Sequence, residues 1–536
     1  MNNENELLGG IKQFANIIVY GAKIRGHKLV ERLKEWLPQT NIHVAVSDTK
    51  GEIEYCGGLL VKDIGAYAEM AEASSVVLIA ATEYFHDEIE RTAHSFGFAN
   101  VIRISEFLWL KIIGNSNGDL TEITKMQRNA QFLQYQTMNL MRLAHLRNKV
   151  RQGEKIKVVF PLIDKAKFSF ASVYLAMKDN PLYEAALFLI NKNEKSYAEE
   201  LIQAGFNVVW GFDESDEPIS IDALEPDIII YNICYLKGYK DFPHRDDMLI
   251  GTLNSLSCYL SYGTLIPKQN YAYHFENDEV LPAWRYFLCN RHEYALAANS
   301  PITNGLHHVL SGDPILDAYA GEPGLVLPTK LRNKEKLIIF APHWSMGYYY
   351  RITSFHVFWR RIIEFLKECP NVGFVFKPHP ELQREIQRSE QYGNRGQPTY
   401  AEWLEYCRIW EESPNGVIVS DSSYIDWFRH SDCLITDSLS FIVSWLPTDK
   451  PCIYLKNPNV SKEEFWGFFY DHIRPVVESY YICDDEQELK RLVEDVVIGG
   501  ADVKADDRKR QKDSVIYNFG HAGEFIADYI ERQVRA

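Results

Sequence analysis

Short apolar runs separated by stretches of helical period recur along the whole chain, and this alternation confines it to parallel α/β sheets. The runs fall at residues 15–20, 42–46, 76–80 and 101–104, then at 156–161, 185–190, 208–210 and 227–231, and again at 336–342, 372–376, 417–419, 433–435 and 451–455. A strand that is apolar on both faces is covered on both faces, which is what crossover helices between parallel strands produce. The runs group into three sets, and 536 residues exceed one ordinary domain. The reading is an α/β chain with a Rossmann-like domain over residues 1–117, a helical connector over 118–152, and two further Rossmann-type domains over 153–325 and 326–536. In the connector, Phe132, Tyr135, Met138, Leu140, Met141 and Leu143 recur at helical spacing and predict one face packed on a domain.

Composition excludes several classes. A net charge of −16 lacks the basic footprint of a nucleic-acid binder, though it permits a local basic pocket for an anionic substrate. The nine cysteines are scattered with no C-x-x-C pair, so neither a disulfide framework nor a zinc site is expected and a reducing cytosol fits. Residues 1–10 are polar and acidic, unlike a signal peptide, and no apolar run approaches the roughly 20 residues that span a bilayer. Any membrane contact is then peripheral. The cluster Arg508, Lys509, Arg510 and Lys512 reads as a solvated helix face, or as a surface for anionic lipid.

The chemistry-bearing residues follow the apolar runs. Lys377-Pro378-His379-Pro380 leaves the run at 372–376. Its prolines hold the backbone rigid, its lysine neutralises a phosphate oxygen, and its histidine exchanges hydrogen bonds or protons near neutrality. Thr436-Asp437-Ser438-Leu439-Ser440 leaves the run at 433–435 and opens a helical pattern. Hydroxyls there bind phosphate at a helix start, or simply cap the helix. His343, in Ala341-Pro342-His343-Trp344, and Ser423, in Asp421-Ser422-Ser423-Tyr424, occupy comparable positions. In the first domain Gly21 and Gly26 frame a loop like a dinucleotide fingerprint, and Asp48 ends the second strand where a ribose hydroxyl would be held. Lys23 replaces the middle glycine of that fingerprint, so NAD is not expected and the domain serves another nucleotide or a partner. No Walker loop, H-E-x-x-H or G-x-S-x-G occurs, and no cofactor or metal is expected.

Gly312-Asp313-Pro314-Ile315-Leu316-Asp317, Ala341-Pro342-His343-Trp344, Lys377-Pro378-His379-Pro380, Asp421-Ser422-Ser423-Tyr424, the stretch from Ser431 to Phe441, and Lys450-Pro451 together resemble, in order and spacing, the CDP-glycerol glycerophosphotransferase family of teichoic acid and capsule polymerases. The resemblance covers about residues 155–530. It implies a GT-B-like pair of Rossmann-type domains facing across a cleft, with the extra domain in front. It also implies that His379 acts at the transferring phosphate and that Thr436, Asp437, Ser438 and Ser440 hold the donor diphosphate. Three positions depart from the family pattern. Ser261-Tyr262-Gly263-Thr264 stands where Trp-His-Gly-Thr is usual, Leu439 replaces a serine, and Ser444 stands where an acidic residue is expected.

The resulting expectation is a cytoplasmic transferase of cell-surface polymer synthesis, with peripheral contact at the inner face of the membrane as an option. It would move glycerol phosphate or a similar polyol phosphate from a CDP-linked donor to an acceptor hydroxyl on a polyol-phosphate or glycan chain, releasing CMP. Lys377, Ser423 and the 436–440 segment are assigned to the donor. His379 and His343 are assigned to catalysis, the latter in place of the missing base, and Tyr262 and Gly263 to the acceptor. A GT-B glycosyltransferase using a nucleotide sugar, and a non-catalytic nucleotide-binding subunit of a capsule-assembly complex, are the other two readings.

Overall fold

The computed structural model describes residues 4–22, 24–47, 55–81, 86–104, 122–233, 243–244, 246–248, 250, 254–277, 279–346, 350–391, 397–419 and 424–536. Asp48 and Ser423 lie outside these, as does the motif residue Asp421.

Three sheets carry the chain. The first contains β1 (Asn16–Tyr20), β2 (Asn41–Val46), β3 (Tyr55–Cys56), β4 (Leu59–Asp63), β5 (Ser75–Ile79) and β6 (Val101–Arg103), in the order β3-β4-β2-β1-β5-β6. All pairings are parallel except that of β3 with β4. After β1 the chain turns sharply into the helix Ile24–Trp36. A Cβ on Gly26 would lie 1.7 Å from the carbonyl oxygen of Gly21, so the sequence-predicted glycines let this helix close onto its strand.

The second sheet contains β7 (Ile156–Leu162), β8 (Tyr183–Leu189), β9 (Val208–Trp210), β10 (Ile228–Tyr231), β11 (Leu256–Leu260), β12 (Arg285–Leu288) and β13 (His308–Leu310), in the order β13-β12-β11-β10-β7-β8-β9. The sequence runs mark the first four. Strands β11 to β13 escape that reading because Ser257, Arg285 and His308 interrupt short apolar stretches, and burial comes from neighbours on both sides of the sheet.

The third sheet contains β14 (Lys336–Phe340), β15 (Val372–Phe376), β16 (Gly416–Ile418), β17 (Cys433–Thr436), β18 (Cys452–Leu455) and β19 (Tyr481–Cys483). Its order is β16-β15-β14-β17-β18-β19, so the chain winds outward from β14 on one side and from β17 on the other. The expected pair of Rossmann-type units preceded by a third is therefore present.

Two helices pack on the second unit from outside its sheet. The connector is a single 30-residue helix, Glu122–Arg151. Its buried face runs through Phe132, Asn139, Leu143 and Leu146, with the Asn139 side chain donating to the Pro282 carbonyl at 3.0 Å. Met138, Leu140 and Met141, expected on that face, are instead exposed. The buried stripe includes a polar Asn that periodicity of apolar residues alone does not register. The final helix, Ala522–Arg535, leaves the third unit and returns to the second. Ile526, Ile530 and Val534 are fully buried there beside Tyr174 and Leu146. The Asp317 carboxylate caps this helix, accepting from Ala522 N at 3.0 Å and Gly523 N at 2.7 Å. The expected 326–536 unit thus gives up its last helix to the 153–325 unit.

The eight described cysteines are free thiols. Among the described residues no helix is long and apolar enough to cross a membrane, and no His, Cys, Asp and Glu grouping suits a metal. The basic cluster on Ala505–Val515 is not an open cationic face. Arg508 is fully buried and paired with Asp502, Arg510 pairs with Asp507, and Lys512 pairs with Asp449 at 2.5 Å.

Candidate active site

Strand register sets the site. Phe340 of β14 lies level with Phe376 of β15 and with Ile435 of β17. His343, His379 and Ser438 each follow their strand's paired residue by three positions, so the three emerge at one height on the carboxyl edge of the sheet. They do so where the strand order reverses, the usual ligand crevice of an open α/β sheet. Beneath them the Phe340 and Phe376 rings stack with centroids 5.6 Å apart.

The two loops leaving β14 and β17 are stitched together by Thr436 and Asp437. The Thr436 hydroxyl donates to the Ala341 carbonyl at 2.5 Å and accepts from Ser438 N at 2.9 Å. The Asp437 carboxylate accepts from His343 N at 2.6 Å, from Ser354 N at 2.5 Å and from Phe355 N at 3.0 Å. The last two are amides at the start of the helix Phe355–Glu368, whose own Ser354 hydroxyl is directed instead to the Leu455 carbonyl. Asp437 is therefore a cap delivered from a distant strand. Burial pushes its carboxyl up to about 6, and the three amides counter that rise. Both residues are fully buried, which places them in the support beneath the cleft. The helix after Ser440 spans only Phe441–Ser444, too short to deliver much of a macrodipole to a phosphate. Ser440 itself is exposed, and Ser438 is nearly covered.

The two imidazoles share one wiring. His343 Nδ1 accepts from the backbone N of Ser345 at 3.1 Å and contacts the Ser345 hydroxyl at 2.9 Å. His379 Nδ1 accepts from Glu381 N at 3.1 Å. A backbone amide only donates, so in each neutral ring the proton sits on Nε2. Among the described residues neither Nε2 has a hydrogen-bond partner, and neither is sealed off. The ring centroids are 6.1 Å apart, with Trp344 against both. Burial, then the proximity of His379, holds His343 well below the usual imidazole range. Burial, then Lys167 and Lys377, lowers His379 to about 4. Both rings are neutral at pH 7.

Lys167 belongs to the other unit, on the turn Lys165–Lys167 that follows β7. The side-chain amide of Asn232, just past β10, donates to the Lys167 carbonyl at 2.5 Å and to the Ser169 hydroxyl at 2.8 Å, fixing that turn at the second sheet's own order reversal. The Lys167 ammonium stands 4.2 Å from the centre of the Tyr262 ring. A cation of one unit thus faces an imidazole of the other, and among the described residues the charges that act on His379 are those of Lys167 and Lys377. Sequence reading missed Lys167. Its signal was available, since Lys165 and Lys167 closely follow the run at 156–161.

Tyr262 and Gly263 follow β11. Gly263 has φ of +128°, a conformation a side chain would strain. The loop is held by the Ser261 hydroxyl, which donates to the Gly263 carbonyl at 2.6 Å, and by Glu293, which accepts from Leu265 N at 2.8 Å. Lys377, half-buried, leaves β15 with its backbone N donating to the Phe340 carbonyl at 2.8 Å. The structure therefore brings His343, His379 and Lys377 together at the carboxyl edge of the third sheet, with Ser438 at the same height and Ser440 two residues on, and Lys167 links them to Tyr262 of the second unit. Gly21 and Gly26 lie apart from it in the first unit.

No family model and no curated protein matches this chain. Solved structures that resemble it include a protein of Listeria monocytogenes described as a UDP-N-acetylglucosamine 2-epimerase, 13% identical over 71% of this chain and 98% of that one, with a TM-score of 0.46. MnaA of S. aureus with UDP is 12% identical over 70% of this chain and 96% of its own, with a TM-score of 0.47. The wall teichoic acid polymerase TagF is 15% identical over 78% of this chain and 98% of its own, with a TM-score of 0.48. At such values the likenesses carry no functional argument, and the site must be read from its own geometry.

Proposed function

We propose that the cleft is the active site of a transferase that moves a polyol phosphate from a CDP-linked donor to an acceptor hydroxyl, releasing CMP. The observation that carries this reading is the convergence of Lys377 and two Nε2–H groups from the third unit with Lys167 from the second. Two cations and two neutral donors suit a diphosphate. The motif resemblance to glycerophosphotransferases supports the CDP-polyol donor.

In this reading Lys167 and Lys377 neutralise the diphosphate from opposite sides, and Ser438 and Ser440 line the donor pocket. His379 Nε2–H donates to the bridging oxygen as charge develops there. The ring keeps its proton, because the Nδ1 lone pair is held by Glu381 N, and it stabilises the leaving oxygen as a hydrogen-bond donor. His343 supplies a second donor, and Tyr262 orients the acceptor.

Incubation with CDP-glycerol, CDP-ribitol and UDP-sugars tests the proposal by product. CMP from a CDP-polyol is the expected result. UDP from a UDP-sugar favours glycosyl transfer instead, a reading that the tyrosine in place of the family's first-half histidine keeps open. Binding of none of these nucleotides defeats both.

A further inference from the structure

The transfer just proposed needs a group that takes a proton from the acceptor, and neither imidazole offers one. A general base needs a lone pair facing the substrate. In His343 and His379 that lone pair is on Nδ1 and is tied to a backbone amide, while Nε2 carries the proton.

The second unit holds a group that does. Register places Leu260 of β11 level with Phe287 of β12, and Phe287 level with Val309 of β13. Gly263 lies three residues past its paired position and Asp313 four, so both emerge on the same carboxyl edge, on the side of the cleft assigned to the acceptor. One Asp313 oxygen, Oδ1, accepts from Ile315 N at 3.1 Å and caps the turn Pro314–Tyr319. The other, Oδ2, has no hydrogen-bond partner among the described residues. It lies 4.0 Å from where a Cβ of Gly263 would stand, so the absence of that side chain keeps the approach open. The carboxyl is 7% exposed, which is small but not sealed.

We propose that Asp313 is the general base of the transfer, its Oδ2 taking the proton of an acceptor hydroxyl that enters along Tyr262 and Gly263. The proposal rests on the transferase reading. As the bond from the acceptor oxygen to the donor's β-phosphorus forms, the bond from that phosphorus to the bridging oxygen breaks. The electron pair stays on the bridging oxygen, which leaves as part of CMP with a hydrogen bond from His379 Nε2–H. The acceptor proton ends on Asp313 and passes to solvent when product departs.

The surroundings keep this carboxylate basic. Among the described residues the titratable groups that face it are Asp317 on its own turn, Cys289 and Glu293 at the end of β12 and in the helix after it, and Tyr424 of the third unit, with Tyr262 beside Gly263. None is a cation. Burial, then Asp317, raises Asp313 to about 7, a value matched to proton transfer near neutrality.

The test uses D313N, D313E and D313S in the full chain, with CDP-glycerol as donor and CDP as the binding probe. Asparagine keeps an Oδ1 acceptor for the Ile315 amide, and serine is itself a capping residue, so both preserve the turn. The expected result is CDP affinity within about twofold of wild type and kcat lower by about 100-fold or more in D313N and D313S. D313E recovers part of the rate, and the acidic limb of the wild-type pH–kcat profile, near pH 7, is absent from D313N. Retention of kcat within about threefold in D313N, with the acidic limb unchanged, overturns the assignment of Asp313 but leaves the transferase reading standing. Absence of nucleotide binding or of CMP release by the wild type overturns that reading, and the assignment with it.

Discussion

Substituting Asp437 separates a ligand-binding residue from a supporting one. Its carboxylate is the acceptor for three buried amides, those of His343, Ser354 and Phe355. In D437N, if the amide oxygen stands where Oδ2 stands, the Ser354 and Phe355 bonds survive, and the new NH2 group meets the His343 amide, donor to donor. In the flipped orientation two bonds are lost. At least one buried N–H is stranded, at about 1–3 kcal/mol. D437A strands all three, about 3–9 kcal/mol in total, against about 5–15 kcal/mol for a whole domain. The expected outcome is a lowered thermal midpoint in D437N and a largely unfolded third unit in D437A. Hydrogen exchange followed by mass spectrometry should show the loss of protection concentrated at residues 343–355. A D437N protein with wild-type exchange there and an unchanged midpoint, but with nucleotide affinity lower by tenfold or more, would refute the clamp and return Asp437 to the donor.

Further outcomes follow from the same geometry. K167M should weaken CDP binding by about tenfold or more and flatten its salt dependence, because a charge-assisted contact is removed; titration calorimetry at two ionic strengths reads both. H379A should lower turnover on the identified donor while leaving the fold intact, and full turnover in that variant would remove His379 from the mechanism. I530A removes a fully buried side chain at the join of the last helix with the second unit, and should cost about 2–5 kcal/mol, seen as a lower midpoint. His86, His274, His307, His356, His379 and His472 each have a folded value of about 4 against 6.5 for a free imidazole. Between those values the unfolded chain binds more protons, so their contribution to stability is full above about 6.5 and falls as pH drops toward 4. A thermal midpoint that stays level from pH 7 to pH 4.5 would contradict this.

How far the sequence reached can be seen at individual positions. Strands such as Asn16–Tyr20 and Lys336–Phe340 were legible because a strand covered on both faces must be apolar throughout. Lys377 and His379 were legible because they follow such a strand directly. The role of Asp437 was not. A carboxylate at a strand end reads the same in sequence whether it meets a ligand or a backbone, and its partners Ser354 and Phe355 lie over eighty residues away in the chain. The last helix was assigned by continuity to the third unit, yet its apolar stripe matches a core built from residues between 143 and 287.

By itself the sequence determined that the chain forms three parallel α/β units and that a lysine and two histidines stand at strand ends of the last one, since local periodicity and prolines act within a few residues. Only the tertiary structure decided which of those groups meet, through strand register and the facing of the two sheets. It brings Lys167 to His379, orients both imidazoles with Nε2–H outward, and leaves one oxygen of Asp313 open beside Gly263. These are relations between segments far apart in the chain, created by burial and by backbone amides that must find acceptors, and no local pattern encodes them.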